Sequence, residues 1–148
     1  MELHVKYFDP SIPPLKRIFV GDWIDLRTRE DVVMECGTYR NIPLNVAIKL
    51  PDGYEAIMAP RSSTFKNFGI LMANGIGVID ETYCGDDDEW QFPAYALNIP
   101  GHRERVWIPT GMRIALGRII EHQPIFDIRT VVSHGEKNRG GFGTTGTF

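Results

Sequence analysis

Fifteen glycines and ten prolines interrupt this chain of 148 residues too often for long helices. The segments between them are short, apolar and rich in β-branched or aromatic residues, which suits strands. Strands are predicted over Leu3–Phe8, Ile18–Val20, Asp31–Met34, Asn41–Leu50, Tyr54–Met58, Trp90–Asn98, Val106–Ile108, Arg113–Ile120 and Phe126–Val132. Gly21–Arg27 reads as a polar turn anchored by Trp23 and Leu26. Pro51-Asp52-Gly53 reads as a hairpin turn whose returning arm begins at Tyr54. One short helix is expected within Pro60–Gly69: Phe65 and Phe68 lie three apart, a Ser or Thr can cap, and Gly69 can end the turn. Many short strands at even spacing predict an all-β barrel or jelly roll. The chain divides into one body, residues 1–135, and a flexible glycine-rich C-terminal arm, 136–148, with little means of packing alone.

A chain of this length can bury a real core, and hydrophobic residues make up 43% of it. No apolar run approaches the ~20 residues that cross a bilayer, and the N-terminus lacks the regions of a signal peptide. Cys36 and Cys84 form no C-x-x-C pair and imply no disulfide framework, so a cytoplasmic location is expected. Net charge is −3, with 16 basic and 19 acidic residues interspersed. Nucleic acid needs a basic face and is not an expected partner. A small phosphate ligand needs only a few placed cations and stays open.

Residues Asn74–Gly85 gather an amide, three glycines, the apolar pair Val78-Ile79, the carboxylate Asp80 and the phenol Tyr83. Val78 and Ile79 read as a short buried strand, with Asp80 at the lip of an apolar hairpin. A carboxylate there can act as a general base, or simply stabilise a turn. Arg61, Ser62 and Ser63 open the predicted helix as a candidate anion site, or as an ordinary cap beside a solvated arginine. The arm reads R-G-G-F-G-T-T-G-T-F from Arg139. Gly141 and Gly143 let the backbone approach a phosphate, Thr144 and Thr145 supply hydroxyls, and Phe142 can stack on a flat ring; the alternative is a disordered terminus. The acidic run Asp86–Glu89 reads as a solvated loop, and the four histidines are dispersed.

Taken together these segments resemble the trimeric dUTPase family, the dUTP diphosphatases, with features of a Bacillus and phage-type branch. Five motifs in order carry the resemblance: Gly21-Asp22-Trp23-Ile24-Asp25-Leu26; Pro60-Arg61-Ser62-Ser63; Asn74 with Gly77-Val78-Ile79-Asp80, Tyr83 and Gly85; Gly111-Met112-Arg113-Ile114-Ala115; and Arg139 to Gly146. They span residues 21 to 146. The resemblance implies a jelly-roll-like fold and a homotrimer in which the arm of one subunit closes over a site built by the other two. It implies hydrolysis of dUTP to dUMP and pyrophosphate, which limits uracil in DNA and supplies dUMP for dTMP synthesis. Asp80 would deprotonate the water that attacks the α-phosphorus. Asn74 and the Gly77 backbone would read uracil, Tyr83 would lie against the deoxyribose, and Phe142 would stack on the base. Arg61, Ser62, Ser63, Arg139, Gly141, Gly143, Thr144 and Thr145 would hold the phosphates. Mg²⁺ would be bound mainly by the triphosphate and water, with no direct protein ligand. Asp25 and Arg113 would support that charge arrangement; Trp90 and Phe92 either share the stacking or belong to the core.

Three positions depart from the family pattern. Leu116 stands where glutamine is common, Cys84 where a basic residue often follows the tyrosine, and Thr82 where an acid is frequent. A related chemistry on this fold, dCTP deamination, needs a carboxylate at the base amino group, and Gln91 and Ala94–Asn98 are not acids. A third reading is a regulatory trimer that binds dUTP as a signal and meets a partner protein through Asp86–Glu89 or Pro100–Arg105.

Overall fold

The computed structural model describes residues 1–16, 20–101 and 103–141. Eleven strands follow in the order β1 (His4–Tyr7), β2 (Ile24–Arg27), β3 (Val32–Glu35), β4 (Tyr39–Pro43), β5 (Val46–Lys49), β6 (Tyr54–Pro60), β7 (Ile70–Met72), β8 (Gly77–Ile79), β9 (Gln91–Ala96), β10 (Arg105–Ile108) and β11 (Arg113–Glu121), with the helix α1 (Thr64–Phe68) after β6. They pair antiparallel as β1-β5, β10-β3, β2-β11-β6-β8 and β4-β9-β7. The fold is all-β and jelly-roll-like.

Alternation explains the inner face. Val32 and Met34 of β3, Phe92, Ala94 and Ala96 of β9, and Val106 and Ile108 of β10 point inward, while Val33 and Trp107 point out. Leu26, Ile42, Ile48, Ile70, Trp90 and Ile114 complete a single core. Pro93 sits in the middle strand of its sheet, where proline is normally excluded. Its carbonyl accepts the Ala73 N–H at 2.8 Å, one residue past the end of β7. The side that lacks a donor therefore has no strand left to pair with.

Turn signals locate reversals but not the sheet that receives the chain. The 51–53 turn forms, with Gly53 at φ 80° and Tyr54 N–H bonded to Pro51 O at 3.1 Å. However, β5 goes to β1 and β6 goes to β11 and β8, so it closes no hairpin. Residues 74–85 are likewise not a hairpin: β7 pairs with β9 and β8 with β6. Gly75, at φ 75°, carries the chain from one sheet to the other.

Other expectations are corrected. The predicted strand Asn41–Leu50 breaks at Asn45, which adopts φ 68° and bonds its side chain to the backbone of Asp9 through both amide atoms. The polar turn Gly21–Arg27 ends in strand β2, because Leu26 is fully buried and alternates with its charged neighbours. Val78 is 62% exposed and not buried. Phe126–Val132 forms no strand; Ile125, Ile128 and Val132 are almost fully exposed. Ile18 lies outside the described residues, and Val20 is exposed and in no strand.

Candidate active site

The segment 74–85 lines a cavity of about 390 Å³ that takes in Asn74, Gly77, Asp80 and Tyr83 together. Met58 of β6 forms its floor, since Met58 and Gly77 are register partners across β6 and β8. A Cβ on Gly77 would stand 2.9 Å from Met58 Cε and 3.2 Å from Met58 Cβ, so only glycine leaves this depth. Asn41, and Gln91, weighed in the sequence only as a non-acid, add amides to the wall.

Asp80 is exposed at the end of β8. Its Oδ1 accepts the N–H of Thr82 at 2.8 Å and the Thr82 hydroxyl. These bonds favour the ionised form and hold the Asp80 carboxyl below the ordinary aspartate value. The turn role and an ionised carboxylate thus coexist in one residue. The Tyr83 hydroxyl donates to the carbonyl of Glu89 at 3.2 Å. Burial, then Asp88 and Glu89, push the Tyr83 phenol up.

Glu89 corrects the reading of Asp86–Glu89 as a solvated loop. It is 6% exposed, accepts the Asn45 N–H on Oε1 at 2.8 Å, and meets Arg29 Nη2 on Oε2 at 3.2 Å. Burial raises its carboxyl, opposed by the Asn45 bond and Arg29. Its position beside Trp90 was the one sequence signal separating it from its solvated neighbours. Trp90 and Phe92 are 1% and 0% exposed; Phe92 belongs to the core, and Trp90 backs the cavity.

The anion-binding candidates lie on other elements. A bulge in β11 between Arg113 and Ala115 leaves the Ile114 carbonyl outside the regular ladder. That carbonyl accepts the Arg61 N–H at 3.3 Å and the Thr64 hydroxyl at 2.6 Å, pinning the 61–64 turn to β11. Ser63 begins α1 without a side-chain cap bond, and Gly69 ends it at φ 68°. Asp25, with its side chain 13% exposed, meets Arg61 Nε at 2.9 Å and Arg113 Nη1 at 3.0 Å. One carboxylate thereby orients two guanidiniums. Leu116 lies opposite Asp25 in β2 and Ala59 in β6, so an apolar side chain occupies the same face as the cations.

None of Arg61, Ser62 or Ser63 lines the cavity around Asp80. Arg139 is exposed in the coil after β11, and Gly141 ends the described chain. Phe142, Gly143, Thr144 and Thr145 lie outside the described residues. Cys84 is exposed.

The dUTPase family model matches residues 21–146. The SPbeta prophage-derived deoxyuridine 5'-triphosphate nucleotidohydrolase of Bacillus subtilis is 46% identical over 147 residues, 99% of each chain. A mutant dUTPase of Staphylococcus bacteriophage 80alpha, solved with dUpNHpp, is similar in fold with a TM-score of 0.77 at 19% identity, over 98% of both chains. A mutant dUTPase from phage phi11 of S. aureus, described with a structural Mg(II) ion, has a TM-score of 0.76 at 18% identity, covering 90% of this chain and 99% of that one. The motifs that line the cavity and pair the arginines all fall within the matched span, and this chain belongs to the dUTPase family.

Proposed function

We propose that the chain is a dUTP diphosphatase, hydrolysing dUTP to dUMP and pyrophosphate. The observation that carries this is the cavity holding Asn74, Gly77, Asp80 and Tyr83, with an ionised carboxylate at its mouth. Asn74 and the backbone at Gly77 offer uracil a donor and acceptor pattern, and a narrow slot there would leave no room for the methyl group of thymine. Tyr83 lies against the sugar. Asp80 accepts the proton of a water as its oxygen attacks the α-phosphorus and the bond to the bridging oxygen breaks, releasing pyrophosphate. General-base help of this kind contributes ~10²–10⁴ in rate. Positioning and charge neutralisation by Arg61, Ser62, Ser63, Arg113 and Arg139 supply the rest.

Mg²⁺ fits as an ion carried by the nucleotide. Asp25 is committed to two arginines, which leaves the ion to the triphosphate and water. When bound, the ion neutralises phosphate charge; the chain's part is to hold the arginines at the phosphates.

The active unit is a homotrimer. The cavity around Asp80 and the cluster around Arg61 are separate within one chain, and the exposed apolar residues Ile125, Ile128 and Val132 lead into the arm. A neighbouring subunit supplies the missing wall, and residues 136–148 close over it. The enzyme acts on free nucleotides in the cytoplasm; among the described residues no helix is long and apolar enough to cross a membrane.

The test is a panel of dUTP, dTTP, dCTP and UTP with Mg²⁺. Pyrophosphate release from dUTP far faster than from the others is expected. Ammonia release from dCTP would instead indicate a deaminase, and binding without hydrolysis a regulatory protein.

A further inference from the structure

Within the run Asp86–Glu89 the chain buries only Glu89. A buried carboxylate is costly unless both oxygens are engaged, and a buried ion pair adds little net stability even then. Here each oxygen has its own partner, Asn45 N–H and Arg29. Both partners are fixed in turn. Asn45 holds its left-handed backbone by bonding Asp9 through its side chain. Arg29 stacks over Phe8 at 5.3 Å from the ring centroid. The outcome of this arrangement is a fixed backbone at residue 89, whose carbonyl accepts the phenol of Tyr83. Tyr83 is 40% exposed and lines the cavity; its backbone N–H is held by the Asp80 carbonyl at 3.2 Å, and its phenol by Glu89.

We propose that Glu89 is a specificity-determining positioning residue: its clamped side chain locks the carbonyl that holds Tyr83 where a deoxyribose fits and a ribose collides. This rests on the reading of the cavity as a dUTP site with Tyr83 against the sugar. Glu89 also lines the cavity, but both its carboxylate oxygens are already taken, by the Asn45 N–H and by Arg29. Glu89→Gln keeps the volume and the acceptor for Asn45 but turns an amide donor toward Arg29. The loop then relaxes, and Tyr83 with it. Tyr83→Phe cuts the same link from the other end while keeping the ring.

The experiment compares kcat/KM for dUTP and UTP in the wild type, Glu89→Gln, Tyr83→Phe and the double variant. Each single variant is expected to lower the dUTP-to-UTP preference about five- to tenfold, largely through KM. The double variant should be no worse than either alone, because both cut one link. A preference unchanged in Glu89→Gln, whatever its thermal stability, would overturn the proposal. If Glu89→Gln does not fold, Tyr83→Phe decides: an unchanged preference there overturns it equally. A wild type that ignores dUTP, or treats dUTP and UTP alike, would fail the dUTP reading itself, a separate result.

Discussion

Asp80 accepts two hydrogen bonds from one residue, Thr82, through the backbone N–H and the hydroxyl. The family often carries an acid at this position, which would repel the carboxylate; threonine instead donates to it. Thr82→Val removes the hydroxyl bond, the largest cause of the lowered Asp80 value, and leaves the backbone bond. Asp80 should then need a higher pH to ionise, and the acid limb of the kcat/KM profile should move up. The depressed carboxyl contributes stability above its unfolded value, lost as pH falls through the folded one. Asp80 is exposed, so acid unfolding should barely change while the activity profile shifts.

Gly77→Ala should constrict the nucleoside slot. Met58 Cε can swing aside, but Met58 Cβ, 3.2 Å away, cannot. Overpacking of this kind costs about 1–3 kcal/mol of fold stability, read as a lowered Tm, and the narrowed slot should weaken dUTP binding by calorimetry. Met58→Gly in the same chain should restore part of the loss, because it removes the Cβ that cannot move.

Asp25→Asn should disturb the phosphate side without touching the base. Arg61 and Arg113 would face each other with no carboxylate between them. Steady-state kinetics should show kcat/KM falling about 10²-fold, in the range for a lost charge-positioning group. Binding of deoxyuridine, which has no phosphate, should be unchanged.

The proposed sharing of the site between subunits predicts complementation. Asp80→Asn and Arg139→Ala homotrimers should each be nearly inactive. Chains of the two kinds, unfolded together and refolded, should recover activity, because some sites then receive Asp80 from the Arg139→Ala chain and Arg139 from the Asp80→Asn chain. No recovery, or a monomer by light scattering, would contradict the shared site.

The cavity lining at Asn74, Gly77, Asp80 and Tyr83 was legible in the sequence because these residues sit in one short run. Arg61-Ser62-Ser63 before a helix ended by Gly69, and Asp80 after two β-branched residues, are patterns that neighbouring residues enforce. What escaped depends on distance along the chain. Asp25 meets Arg113 across 88 positions, and nothing near either residue announces the pairing. The turn at Pro51–Gly53 shows that the chain reverses, while the choice of β11 over β5 as partner for β6 is made by the whole core. Glu89 looked like the fourth member of an acidic loop; its burial depends on Asn45 and Arg29, which arrive from other elements. Phe126–Val132 has the composition of a strand but pairs with no strand among the described residues, so a local rule that succeeds for β9 fails there.

The central claim, that Asp80 activates the attacking water in a dUTP site, is tested most directly by Asp80→Asn. Nucleotide affinity and single-turnover hydrolysis should be measured on the same protein with dUTP and Mg²⁺. The account predicts dUTP affinity close to wild type and hydrolysis slowed ~10²-fold or more. Hydrolysis at the wild-type rate by a correctly folded Asp80→Asn protein would contradict it.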